Sequence, residues 1–233
     1  MSQHLFKYKH FESEIILLCV RWYLKYPLSY RMLVEMMQER GLNLTHTTIM
    51  RWVHQYSPII DERVRKHLKS TNDSWRMDET YLKIKGKNAY LYRTVDSAGN
   101  TIDFFVSEHR DKDSAKKLFK KALKTIHNQQ PRVKTTDKYA ATEVAIHEMI
   151  YSAIIDVKAT IRQVKYLNNI IKQDHRFIKR KIKPMLGYDS FETAEKTICG
   201  IEVMHMISKG QVEGIQCVRS EVEFINKIMG IVA

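Results

Sequence analysis

Asp78 lies inside the strand-like run 74–84, and Asp137 closes a second such run, 132–137. Two aspartates at the ends of extended segments form a donor set of hard oxygens. Attack of water or a 3′-hydroxyl on a phosphodiester needs a deprotonated nucleophile and a neutralised leaving oxygen. Two Mg²⁺ ions about 4 Å apart supply both, and carboxylates on rigid neighbouring strands suit such ions. Side chains alternate along a strand, so Asp78 shares its face with Thr80 and Leu82 while Glu79 points the other way. Glu79 therefore reads as structural. Taken alone, an aspartate at a strand end is more often a turn or cap residue, so the metal reading depends on what surrounds it.

Downstream of Asp137, residues 165–183 hold seven basic side chains, Lys165, Lys172, Arg176, Lys179, Arg180, Lys181 and Lys183, against one acid, Asp174. Lys165, Asn168 or Asn169, Lys172, His175 or Arg176, and Lys179 recur at three-to-four spacing and make one polar helix face. Val164, Leu167, Ile171 and Ile178 form the opposite, inward side. The ordinary fate of such a charge run is a solvated face. Beside a phosphoryl-transfer site, contact with a phosphate backbone is the better reading, through Lys165, Asn168, Arg176, Lys179 and Arg180. His175 reads equally as a helper at the scissile phosphate or as a surface histidine.

The elements that must position these groups follow from composition and pattern. The chain has 233 residues, 44% of them apolar, with 8 Gly and 4 Pro, enough for a real core in one large domain or two modest ones. Lys and Arg number 39 against 26 Asp and Glu, a surplus of +13 that favours a polyanionic partner. Cys19, Cys199 and Cys217 have no CxxC or Cys/His spacing, so free thiols in a reducing cytosol are expected, not structural zinc. The start of the chain lacks a signal peptide's apolar core, and the run 15–20 ends at Arg21, well short of a bilayer span. A cytoplasmic location is expected, with no membrane partner.

Residues 1–70 read as helical. A first helix covers about 12–25, ended by Pro27. Ser29 caps a second, with Met32, Leu33, Met36 and Met37 at helical spacing. Gly41 and Asn43 turn the chain, and Thr45 caps a third helix with Ile49, Trp52 and Val53 on one face. Two short helices about a tight turn fit a helix-turn-helix, with Thr45, His46, Thr47, Thr48, Arg51 and His54 facing DNA. The plain alternative is a helical hairpin whose Met and Trp stripe is only core. After a basic linker, runs at 75–84, 89–95 and 101–106 read as three antiparallel strands, with a turn at 96–100. A Lys-rich helix (about 113–127), the Asp137 strand, a helix near 140–150, a strand near 157–161 and a helix from Arg162 onward follow. The tail from about 190 has helical patterning.

The motifs Ser-Tyr-Arg-Met-Leu-Val-Glu-Met-Met-Gln-Glu-Arg-Gly (29–41), Thr-Thr-Ile-Met-Arg-Trp-Val (47–53), Trp-Arg-Met-Asp-Glu-Thr-Tyr (75–81), Tyr-Leu-Tyr-Arg (90–93) and Lys-Tyr-Leu-Asn-Asn-Ile-Ile (165–171) span nearly the whole chain. In this order they resemble the DDE transposases of the insertion-sequence six family. The resemblance implies an α/β fold: a helix-turn-helix domain (1–72), an RNase H-like, retroviral integrase-like mixed sheet with flanking helices (73–189), and a helical C-terminal tail (190–233). It implies binding of terminal inverted repeats, Mg²⁺- or Mn²⁺-dependent 3′-end cleavage and strand transfer, and a homodimer or larger assembly on DNA. The metal ligands carried over are Asp78 and Asp137. The family places its catalytic Glu after 34 further residues, and 138–171 is such a stretch, so the Glu position falls on Lys172. An ammonium there repels a divalent ion by roughly 8 kcal/mol at 4 Å before relaxation. Asp174, two residues on, is rotated ~200° away, and Glu143 or Glu148 are the other carboxylates within reach along the chain. An inactive relative that binds element ends as a repressor or competitor is the alternative reading.

Overall fold

The computed structural model describes residues 5–125, 127–135, 140–152, 154–155, 160–162 and 169–231. Along the chain the elements are α1 (Ser13–Lys25), α2 (Tyr30–Gln38), α3 (His46–Arg65), β1 (Ser74–Ile84), β2 (Lys87–Asp96), β3 (Thr101–Ser107), α4 (Lys112–Lys124), β4 (Val133–Thr135), α5 (Ala140–Tyr151), β5 (Thr160–Arg162), α6 (Asn169–Ile182), α7 (Phe191–Ser208) and α8 (Val218–Met229). They form two compact units. The first joins Met1–Leu68 to Lys183–Ala233, and the second is Lys69–Ile182. The helices at the C-terminal end, expected as a tail of their own from residue 190, thus share a unit with α1–α3.

The first unit is built of helices, with one antiparallel bridge between Leu68 and Val212. Ser29 opens α2 by accepting from the Met32 amide, and Thr45 opens α3 by accepting from the Thr48 amide. Between them Gly41 takes a left-handed φ of 74°, which closes α2. Ile49, Trp52, Val53, Tyr56 and Ile60 bury one stripe of α3, which packs on α1 and α7. At Gly200, midway along α7, a Cβ would stand 2.5 Å from Ser57 Oγ and 2.7 Å from the Leu24 δ-carbons. Only hydrogen lets these helices approach so closely. The buried Glu221 carboxylate of α8 takes Arg21 at 3.3 Å and Lys25 at 2.5 Å, both from α1.

The second unit is a five-stranded mixed sheet in the order β3-β2-β1-β4-β5. β1, β2 and β3 pair antiparallel, and β4 and β5 run parallel to β1. Lys85 (φ 50°) and Gly86 (φ 72°) form the two-residue β1–β2 turn, whose paired positive φ values match strand twist. Asp96 Oδ1 accepts from the Ala98 and Asn100 amides and closes the next turn. On one face Trp75, Met77, Tyr92 and Ile102 pack beneath Ala115, Leu118, Phe119 and Ala122 of α4 and Ala145, Ile146 and Met149 of α5. Helix α6 packs on β1 and β2. The strand expected near 157–161 is β5, in which Thr160–Arg162 pairs with Val133–Thr135, and the helix expected after it is described from Asn169 onward as α6. Among the described residues no helix is long and apolar enough to cross a membrane.

Candidate active site and DNA-facing helix

Strand register sorts the polar residues of the sheet. Asp78 lies on the same face of β1 as Arg76 and Thr80, and its Cα partner on β2 is Arg93. Only 8% of Asp78 is exposed, and its Oδ1 accepts from the Glu79 amide at 3.1 Å. Glu79, on the opposite face, is paired with Arg110, in keeping with a structural role. Arg76 is also buried, and desolvation lowers its pKa, with Asp96 acting against the shift.

The Asp78 face is the one that α6 covers, because Arg93 Nη2 meets Asp174 Oδ2 at 2.7 Å. Arg93 is fully buried, and Ile171, His175 and Ile178 of α6 are buried with it. Residues 171, 174, 175 and 178 thus make one stripe against the sheet, at the i, i+3, i+4, i+7 spacing of a helix face. This corrects one expectation. His175 is neither a surface group nor exposed to a phosphate: burial first, then Arg93 and nearby lysines, pull its pKa down to about 3, so it is neutral at pH 7. Asp174, rotated ~200° from Lys172, faces the sheet. Lys172, Arg176, Lys179 and Arg180 are exposed, with Lys172 and Lys179 on the flank of the stripe nearer His175. Lys181 leaves the basic face altogether: it is buried, which lowers its pKa to about 7.

Asp137, Lys165 and Asn168 lie outside the described residues, as do Val164 and Leu167. Strand β4, which leads toward Asp137, pairs with β1 through Trp75–Lys134 and Arg76–Thr135. Among the described residues no three His, Cys, Asp or Glu side chains gather as a metal-holding group. Asp78, a nearly buried carboxylate on a central strand, suits a divalent ion; Lys172, where the resemblance expects a Glu, carries an ammonium. Of the other carboxylates considered, Glu148 accepts from Lys112 at 2.9 Å and also pairs with Lys116, and Glu143 lies 3.9 Å from His147.

On α3, Thr45, His46, Thr47 and Arg51 are exposed, and Thr48 and His54 are half-buried. The Thr45 hydroxyl lies 2.9 Å from that of Thr47 and 2.8 Å from that of Thr48, so the helix start is a small hydroxyl network. His54 sits beside α7, where burial lowers its pKa, followed by Lys196, with Glu192 opposing. The free stretch of this face is therefore its N-terminal half.

Sequence reading missed the pairing of Arg93 with Asp174. A partial signal was present: Arg93 shares a strand face with Leu91 and Val95, the pattern of a face that packs against another element. A buried guanidinium needs an anion, and Asp174 is the one acid of the basic helix that covers this face.

A family model described as a DDE domain matches residues 72–211. The transposase for the insertion sequence-like element IS431mec of Staphylococcus aureus is 40% identical over 212 residues, covering 91% of this chain and 92% of that protein. The transposase of insertion sequence element IS257 in transposon Tn4003, also from Staphylococcus aureus, is 39% identical with the same coverage. Among solved structures, the magnesium-bound HTLV-2 integrase catalytic core domain overlaps 57% of this chain and 84% of its own at a TM-score of 0.44 and 16% identity. The Mos1 strand transfer complex overlaps 81% and 62% at 0.37 and 11%. Family model and near-full-length identity agree, and the chain belongs to the insertion-sequence six family of DDE transposases.

Proposed function

We propose that this transposase binds the terminal inverted repeats of its element through the α2–α3 corner and that its cleavage and strand-transfer chemistry is crippled by Lys172. Thr45, His46, Thr47, Thr48 and Arg51 form the base- and phosphate-contacting face, from which His54 is drawn back beside α7, with Arg176, Lys179 and Arg180, together with Lys165 and Asn168, as the backbone-gripping set. Asp78 and Asp137 would hold the Mg²⁺ or Mn²⁺, which when bound would activate the attacking oxygen and neutralise the leaving one. The protein works on duplex DNA in the bacterial cytoplasm, as a dimer or larger assembly that brings two ends together.

The single observation that carries this reading is the state of α6. The position that should supply the third carboxylate is an exposed lysine, and the helix's one acid, Asp174, is already taken by Arg93. No carboxylate on α6 is left to complete the donor set. The end-binding residues on α3 are unaffected, which favours an end-binding competitor or repressor as the activity that persists.

The test is 3′-end cleavage on paired end substrates with Mg²⁺. Lys172→Glu exchanges +1 for −1 without new backbone geometry and should restore cleavage by at least a hundredfold, whereas Lys172→Ala, which only removes repulsion, should restore little. Full activity of the lysine form would refute the reading.

A further inference from the structure

We propose that Arg93 is a positioning residue for the transposition reaction: through its ion pair with Asp174 it holds α6 against the sheet that carries Asp78 and so fixes where position 172, on the exposed flank of that helix, stands. This rests on reading position 172 as the third member of the metal site.

The argument begins with Arg93 itself. It is fully buried on β2, between Leu91 and Val95, directly across from Asp78. A guanidinium keeps its proton at any pH the protein meets, so a buried one needs a fixed anion. Asp174 supplies it at 2.7 Å. Apolar packing of Ile171 and Ile178 pulls α6 onto the sheet but is non-directional and tolerates a roll of the helix about its axis. A charge pair at 2.7 Å with a fully buried guanidinium tolerates much less, because a roll that parts the two charges leaves each uncompensated in the interior.

The roll matters because of where 172 and 174 stand. They are ~200° apart, on opposite flanks of the buried stripe. Pinning one flank therefore fixes the other. With side chains reaching about 6 Å from the axis, a roll of ~20° carries the tip of residue 172 roughly 2 Å. A metal ligand must be held within a few tenths of an ångström. Asp174 is thus a brace for the ligand position, which is why it cannot replace the ligand.

Two measurements on the full-length chain test this. The first is hydrogen exchange of α6 amides in Arg93→Gln, Asp174→Asn and the double variant. Exchange across 173–182 should quicken at least tenfold in each single variant and no further in the double, with protection of α1, α3 and α7 unchanged. The second is Mn²⁺ titration by electron paramagnetic resonance in the Lys172→Glu background. Adding Asp174→Asn should weaken the second ion at least tenfold, as is typical when a ligand loses its support. Because a lone buried charge can unfold the unit, Arg93→Met with Asp174→Leu is the control: β1 and β2 should keep their protection while the second ion is still weakened. Unchanged α6 exchange in the single variants, or full second-ion affinity in the apolar double, overturns the proposal. Failure of Lys172→Glu to gain a second ion at all refutes the metal-site reading instead, and the exchange measurement still decides whether Arg93 holds α6.

Discussion

Replacing Lys134 with methionine should make the sheet unit more stable, by an amount that depends on pH. Lys134 lies on β4 in register with Trp75 and Ile161, is 1% exposed, and its Nζ has no hydrogen-bond partner among the described residues. Burial lowers its pKa from 10.5 to about 8. The folded state therefore disfavours the charged form. Below about pH 8 the lysine is charged in both states and the penalty is present in full, about 3 kcal/mol for a shift of this size. Between about pH 8 and 10.5 the unfolded chain holds a proton that the folded chain has released, so stability climbs with pH. Lys134→Met keeps the stem and removes the charge. It should add up to ~3 kcal/mol at pH 7 and close to nothing at pH 10.5. Urea unfolding followed by fluorine NMR of 5-fluorotryptophan separates the units, since Trp75 reports on the sheet while Trp22 and Trp52 report on the helices. Lys181 and His175 also titrate, but they are common to both proteins and drop out of the difference. A variant that is less stable at pH 7, or a gain that persists undiminished at pH 10.5, would refute the reasoning.

Gly200→Ala should lower the stability of the helical unit by about 1–2 kcal/mol, the cost of overpacking against Ser57 and Leu24 less the gain in helix propensity; an unchanged or higher midpoint at Trp22 and Trp52 would contradict this. Arg51→Ala should reduce the preference for element ends over random duplex in fluorescence anisotropy. An equal loss on both sequences would make Arg51 a phosphate contact only, and no change would remove α3 from the interface. In the lysine form, titration should find at most one weakly held Mn²⁺, lost in Asp78→Asn; two tight ions would mean that another carboxylate completes the site.

Much of this was legible because local signals agreed with one another. The Ser29 and Thr45 caps, the strand alternation around Asp78 and the 96–100 turn each depend on a few neighbouring residues, and the structure has them where expected. What could not be read depends on tertiary choice. A 3.6-residue repeat marks a polar and an apolar side but not how far the stripe extends around α6. Sequence put His175 on the polar side, and packing drew it and Asp174 into the interface because Arg93 required an anion there. The grouping of α7 with α3 was equally hidden, since a helical pattern names no partner. Gly200 was the one local hint of a close helix crossing.

The sheet unit is an insertion: the chain leaves the helical unit after Leu68 and re-enters it at Lys183. During synthesis domains ordinarily finish in order from the N-terminus. Here α1–α3 emerge first but wait for their last partners, because Ser57 of α3 and Leu24 of α1 close around Gly200, and Arg21 and Lys25 await Glu221. The unit that carries Asp78 is complete some fifty residues before the helical unit. A nascent chain thus assembles its sheet while the helical unit is unfinished, and a stop codon late in the gene would spare the first and leave the second without its last partners.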